Sequence, residues 1–286
     1  MKVSVFNNTT DVFNHDIEGR PFTSISDFKL TDSHDEADYI FGYLVSNKCN
    51  EDYDLISKSD TFKKYPHKFV FMAMHDNPSF AYQEKNSIKF IAQPIKNSEY
   101  NIISYPLQMR HYELEISKDV EFINELRNTK KEYDFTFIGN KNIPSRLFLN
   151  NMKLKSFYTR LPVSIWNLKE SKDRLPVLKD FYRDIAKSKF AFAPRGIGSS
   201  SFRLYQSLMV GTVPIIFDMM DYPFDDVVNW DEFSIRNLDK KFNFNNLNID
   251  NYEEIRDKGI EFWENYVRIE NCDNKLYELL KNKLIT

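Results

Sequence analysis

The sequence predicts an α/β protein. Short apolar runs of strand length, separated by polar segments, recur between residues 2 and 107. A β–loop–α–β succession then occupies residues 190–217. The 286 residues are 42% hydrophobic and 28% charged, a balance that supports a core large enough for one large domain or two ordinary ones.

Taken in order, "KVSVF" (2–6) reads as the first strand. "ADYIFGYL" (37–44) is the second, and its unbroken apolar character suits a parallel strand buried on both faces. "KFVFMAMHDNP" (68–78) is a third, ending in polar residues and a proline. "SIKFIAQPI" (87–95) and "NIISYPL" (101–107) are two more. A helical pattern follows in "DVEFINELRN" (119–128). The charged "KKEY" ahead of the strand "DFTFIG" marks a boundary. It divides the chain into an N-terminal domain over 1–128, a second domain over 129–258 and a helical tail over 259–286. "SRLFLNNMKL" (145–154) reads as a helix. "LPVLKDFYRDIAKSK" (175–189) reads as another, with Leu178, Phe181, Tyr182 and Ile185 at helical spacing. "FAFAP" (190–194) is a strand, "SFRLYQSLMV" (201–210) a helix closed by Gly211, and "VPIIF" (213–217) the next strand. The tail is helical, with Gly259 weakening one uninterrupted helix.

A net charge of −3 argues against nonspecific nucleic-acid binding, which needs a basic field. Cys49 and Cys272 lie far apart without ligand spacing, so they read as two free thiols in a reducing compartment. The first residues lack the apolar stretch and cleavage site of a signal peptide, and no run approaches the roughly 18 apolar residues of a membrane span. These features predict a cytoplasmic protein and leave peripheral membrane contact open.

Glycine is scarce in this chain, yet "PRGIGSSSFRLYQSLMVG" (194–211) holds three of the seven. A helix N-terminus carries unpaired N–H groups and partial positive charge, which suit a phosphate. Gly196 and Gly198 would let the backbone approach an anion and take φ > 0. Ser199, Ser200 and Ser201 would cap the helix or donate to phosphate oxygens, and Arg195 and Arg203 would add charge-assisted bonds. Arg203 and Gln206, three apart, share one polar side that suits phosphate and ribose. The same residues also make an ordinary loop and helix cap. The spacing is neither the Walker A nor the dinucleotide pattern.

These residues resemble the exostosin-like glycosyltransferases, whose signature runs Pro-Arg-Gly, a Gly/Ser stretch, Ser-Phe-Arg-Leu, an acidic residue and Gly-x-x-Pro-Val-Ile. "YPFDDVVNWDEFSI" (222–235) and "DFTFIGNKNIPSRLFLNNM" (134–152) resemble two further segments of that family, and "KFVFMAMHDNP" resembles its His-Asp strand end more weakly. The resemblance covers residues 133–236 well. It implies a GT-B architecture of two facing Rossmann-like domains, with a UDP-sugar or another nucleotide-sugar donor on the C-terminal domain and the acceptor facing the N-terminal one. It also implies inversion at the anomeric centre, no essential metal and no resident cofactor. Arg146, Arg195, Ser200, Ser201 and Arg203 would surround the donor diphosphate. Gln206 stands where the family usually has glutamate, and Asn229 where it usually has aspartate, which puts ribose recognition in question. A glycan or glycolipid acceptor, in surface polysaccharide or lipopolysaccharide synthesis, follows by analogy.

Inverting transfer needs a base for the acceptor hydroxyl and positive charge on the leaving diphosphate. His75 or Asp76, after an apolar strand, is the candidate base. The plainer roles are a hydrogen-bonded strand-end histidine and a turn cap before Pro78. Asp218, after "VPIIF", contacts the donor sugar or belongs to a solvated loop. Asp52 and Asp54 match a metal-binding Asp-x-Asp pattern, but they lie in what reads as an exposed loop or helix start, and such short patterns arise by chance. Arg110 and His111 line an acceptor groove or, preferably, belong to the core and its solvated edge. A noncatalytic nucleotide- or glycan-binding subunit is the alternative of a different class, and a metal-dependent transferase a third.

Overall fold

Where the apolar runs are densest, parallel strands form. The structure, a computed structural model, describes residues 1–6, 29–44, 49–73, 79–83, 85–92, 100–107, 110–162, 168, 171–217, 222–236, 241–247 and 249–285, without the side chains at 110–112, 171–172 and 283–285. The first sheet contains Lys2–Val5 (β1), Lys29–Leu30 (β2), Tyr39–Leu44 (β3), Phe69–Ala73 (β4), Ile88–Ile91 (β5) and Ile102–Ser104 (β6), in the order β2-β1-β3-β4-β5-β6. Every pairing is parallel. All residues of β3, β4 and β5 are buried, as expected of strands covered on both faces. A Cβ at Gly42 would sit 2.8 Å from the Phe71 ring, so glycine is what lets β3 lie against that ring on β4. Helix α1 (Cys49–Lys58) buries Cys49, Tyr53 and Ile56, one stripe at helical spacing, in a core with Phe62, Phe69, Phe71 and Phe80. The short α2 (Asp60–Lys64) is capped by Ser59, whose hydroxyl accepts from the Phe62 N–H at 3.1 Å.

The second sheet contains Tyr133–Ile138 (β7), Phe157–Arg160 (β8), Ser188–Pro194 (β9) and Val213–Phe217 (β10), all parallel, in the order β10-β9-β7-β8. From β7 the chain moves outward to β8, then returns to the other side of β7 for β9. The strand order therefore reverses between β7 and β9, and in open parallel sheets ligands bind beyond the carboxyl ends of strands at such a point. Helices Arg110–Lys118 (α3), Val120–Arg127 (α4), Ser171–Ala186 (α5) and Phe202–Met209 (α6) belong with this sheet, followed by Tyr252–Phe262 (α7), a π-helical turn Trp263–Val267 and Ile269–Ile285 (α8). Phe135, Phe137, Phe190, Phe192, Ile215, Phe217 and Phe244 form the core. The chain divides into two compact units, residues 1–107 with 220–224 and 273–286, and residues 108–219 with 225–272.

Helix α6 ends in a Schellman motif. The Thr212 N–H donates to the Ser207 carbonyl at 3.0 Å and the Gly211 N–H to Leu208 at 3.2 Å, with Gly211 at φ +67° as the expected C′ glycine. Lys131 adds to this end. Its ammonium donates to the Ala186 carbonyl at the close of α5 (2.8 Å) and to the Gly211 carbonyl after α6 (3.0 Å). Arg127 donates to the Met209 carbonyl at 3.0 Å and pairs with Glu264 at 2.7 Å.

Two expectations are corrected here. The predicted helix at 145–154 is a 3₁₀ helix, Pro144–Asn151, ending where Met152 is extended. The α5 helix begins earlier than Leu175 and carries Pro176 inside it.

Candidate functional site

The loop from Arg195 to Ser201 joins β9 to α6 beside the point where strand order reverses. The segment after β7 fastens it. Ser145 Oγ donates to the carbonyls of Arg195 (2.9 Å) and Gly196 (3.2 Å), and Arg146 Nε donates to the Arg195 carbonyl at 3.2 Å. Arg146 also donates to the Asn140 carbonyl at 3.3 Å and lies over the Phe137 ring. Burial lowers its pKa from the ordinary arginine value. A Cβ on Gly196 would lie 3.4 Å from the Arg146 guanidinium, an ordinary van der Waals contact. The expectation that Gly196 and Gly198 take φ > 0 is not met, since Gly211 alone does so among the described glycines. Local hydrogen bonding to the 144–151 helix shapes the loop instead.

Ser201 occupies the N-cap position of α6 with extended backbone, but its side chain makes no capping bond. Its hydroxyl is buried without a hydrogen-bond partner, and so is Nε of Arg195. Buried polar groups are almost always paired in a folded protein, so two orphans at one helix N-terminus indicate a place for an acceptor-rich ligand. Gly198, Ser199 and Ser200 are buried beside them.

Arg203, in the first turn of α6, donates through Nε to the Ile138 carbonyl at the end of β7 (2.5 Å), and its guanidinium lies 4.4 Å from the Phe181 ring centroid. A second guanidinium nitrogen donates to Gln206 Oε1. Gln206 Nε2 donates to Glu113 Oε1 on α3 at 2.6 Å, and the Tyr182 hydroxyl on α5 donates to the same oxygen at 2.5 Å. Burial, and then the nearby Arg146, lowers the pKa of Arg203 to about 10, which leaves it charged at neutral pH. Arg127, Arg160, Arg183, Arg236, Arg256 and Arg268 each form an ion pair with a carboxylate. Among the described residues, Arg146, Arg195 and Arg203 form none. Three guanidinium groups without carboxylate partners, at the mouth of a helix, form an anion site in charge and in hydrogen-bonding capacity.

The structure thus brings Arg146, Arg195, Gly198, Ser199, Ser200, Ser201, Arg203 and Gln206 onto one β–loop–α unit and the segment beside it. His75, Asp76 and Asp218 lie outside the described residues. Asp52 and Asp54 fall within α1. Two residues apart on a helix, they project about 200° from each other and cannot grip one ion together. The sequence reading missed Ser145 and Glu113. Ser145 has a local signal, a hydroxyl next to the arginine already singled out. Glu113 has none, because its partners lie 69 and 93 residues away in the chain.

An open parallel sheet with a cationic loop at its switch point is an arrangement suited to an anionic ligand. The family model of the Exostosin GT47 domain matches residues 4–249, and the chain belongs to this family of glycosyltransferases.

Proposed function

We propose that this glycosyltransferase uses a nucleotide-sugar donor, a UDP-sugar, and transfers the sugar to a glycan or glycolipid acceptor with inversion. The carrying observation is the group of Arg146, Arg195 and Arg203, without ion-pair partners, next to the orphaned Ser201 hydroxyl at the start of α6. In this reading a base takes the proton of the acceptor hydroxyl as its oxygen bonds to the anomeric carbon. The bond from that carbon to the diphosphate oxygen breaks, and the leaving diphosphate gains negative charge. The three guanidinium groups and the α6 N-terminus stabilise that charge, so the reading needs no metal and no resident cofactor. In this reading Gly198, Ser199 and Ser200 complete the diphosphate loop and Asp218 contacts the donor sugar, while Gln206, buried and bound at both ends of its amide, acts through Arg203 rather than on the ribose. His75 or Asp76 is the base.

The division of labour is that of GT-B enzymes, with the donor on the second unit and the acceptor on the first. Each unit's parallel sheet supports it. No described helix is long and apolar enough to cross a membrane. Synthesis of a surface polysaccharide or lipopolysaccharide, by a cytoplasmic protein with peripheral membrane contact, completes the reading.

The test is thermal stabilisation of the full chain by UDP, GDP, CMP and ADP, with and without EDTA. At about 100 times its dissociation constant, a ligand adds roughly 2.7 kcal/mol of apparent stability. A UDP-selective shift that survives EDTA and is lost in Arg195→Ala supports the proposal. Silence across the panel overturns it.

A further inference from the structure

The amide of Gln206 sits between two charges. Its carbonyl accepts from Arg203, and its NH₂ donates to Glu113 at 2.6 Å. Turned over, it would set donor against guanidinium and acceptor against carboxylate. The two charges therefore dictate one orientation. Gln206 is 3% exposed, so water cannot substitute for either partner. Tyr182, fully buried, donates to the same carboxylate oxygen, and its phenol pKa lies well above the ordinary value through burial and then the Glu113 charge, so it remains a donor. The cavity lined by Glu113, Tyr182, Tyr205, Gln206 and Trp263 measures about 20 Å³, room for a water molecule and far too small for a sugar or base. Glu113, half-buried, is engaged by both Gln206 and Tyr182 beside this cavity.

We infer that Glu113 is a positioning residue for the anion site. Through Gln206 it fixes the guanidinium of Arg203, the only arginine of the three that is also tied to the end of β7 through Ile138. This rests on the reading that α6 and its loop hold the donor diphosphate. A short chain of charge-complementary bonds runs from α3 through α6 to the sheet. An arginine held this way meets an anion without first losing side-chain freedom, which is preorganisation for binding.

The test exploits the order of charges along that chain. Gln206→Glu keeps volume and the contact with Arg203 but sets one carboxylate against another where a 2.6 Å hydrogen bond now stands. Such a pair must take up a proton or separate. Among the described residues, the other titratable and charged groups facing it are Tyr182 from α5 and Arg203 from α6, with Arg146 and Arg160 acting on Arg203 from further away. On α4, Glu121 and Glu125 are exposed and Arg127 is paired with Glu264. The double variant Glu113→Gln with Gln206→Glu exchanges the two groups. The new amide donates to the new carboxylate, which accepts from Arg203, and Tyr182 donates to the new amide carbonyl.

UDP binding is measured by calorimetry at pH 6 and pH 8, with thermal unfolding of each ligand-free protein as the check on folding. The expected result is about tenfold weaker binding for Gln206→Glu at pH 8, in the range of coupling within one hydrogen-bond network. Part of that loss should return at pH 6, and the double variant should recover most of it at both values. A Gln206→Glu protein that binds like wild type at both pH values overturns the inference, as does a double variant no better than the single one. If wild type binds none of the four nucleotides and Arg195→Ala changes nothing, the donor-site reading falls first and this inference with it. If wild type binds UDP and Arg195→Ala weakens it while the exchange has no effect, only the positioning role of Glu113 falls.

Discussion

Lys131 makes stability rise with pH over a range where most proteins are level. Burial lowers its pKa from 10.5 to about 8 in the folded chain, with the nearby Arg256 charge as the second cause. Its bonds to the Ala186 and Gly211 carbonyls satisfy it as a donor but do not neutralise it. In the unfolded chain the ammonium titrates at its ordinary value. Between the two pKa values the unfolded state binds more protons, so stability increases as pH rises through the window. The cost of holding the buried charge is fully present below pH 8 and vanishes above the unfolded value. From pH 7 to pH 9 the folded group sheds its proton while the unfolded one keeps it, which amounts to about 1.4 kcal/mol. Cys49 acts in the opposite sense, because burial raises its thiol pKa to about 11. That contribution is common to wild type and Lys131→Met and cancels in their difference. The assay is urea unfolding of both proteins at pH 7, 8 and 9. Lys131→Met should lack the rise of about 1.4 kcal/mol, whatever its absolute stability. Parallel pH dependences for the two proteins would refute the reasoning.

Gly211→Ala forces a side chain into φ +67°, with its Cβ 3.2 Å from Ile260. The expected loss is about 1–2 kcal/mol, read from the urea midpoint. Arg195→Ala should weaken UDP binding by about 10- to 100-fold, the size of a charge-assisted hydrogen bond, and Ser201→Ala by only a few-fold. Equal effects from the two changes would argue against a charge-dominated site. Asp54→Ala alters an exposed position on α1 and should leave sugar transfer intact in the presence of EDTA. Loss of transfer there would restore the metal-dependent reading.

Much of this fold was legible because its central strands are covered on both faces and therefore apolar throughout. β1, β3, β4, β5, β6 and β10 lie within stretches that read as strands, while β7 begins one residue and β9 two residues ahead of theirs, β9 taking Ser188 and Lys189 from the end of a predicted helix. β8 escaped notice because "FYTR" is half-buried along its whole length at the sheet edge, where no apolar run develops. β2 is only two exposed residues, held by pairing with β1. Helix α3 follows closely on the stretch at 101–107 that reads as a strand, and the sequence reading weighs its first residues, Arg110 and His111, as groove or core rather than as a helix start. The arginines and serines of the α6 loop were legible because helix N-termini and anions have a local chemistry. Glu113 was not, since a carboxylate that works by facing an amide 93 residues away leaves no mark on its neighbours.

Helix α6 is finished unevenly. Its last turn is closed by the Schellman bonds, Arg127 and Lys131, while the side chain at its first position caps nothing. Eight residues are too few to sustain a helix without help from outside. The backbone N–H groups of Phe202 and Arg203, which have no acceptor within the helix, should therefore exchange fast even though the Arg203 side chain is held, while those from Ser207 onward should exchange slowly. Amide hydrogen exchange would record this as fast protons at one end and slow ones at the other. An anion arriving at the fast end supplies the missing acceptors and brings the whole helix to one exchange regime. Ligand binding would then be visible first as a change in the lifetime of a few amide protons, before any change in shape.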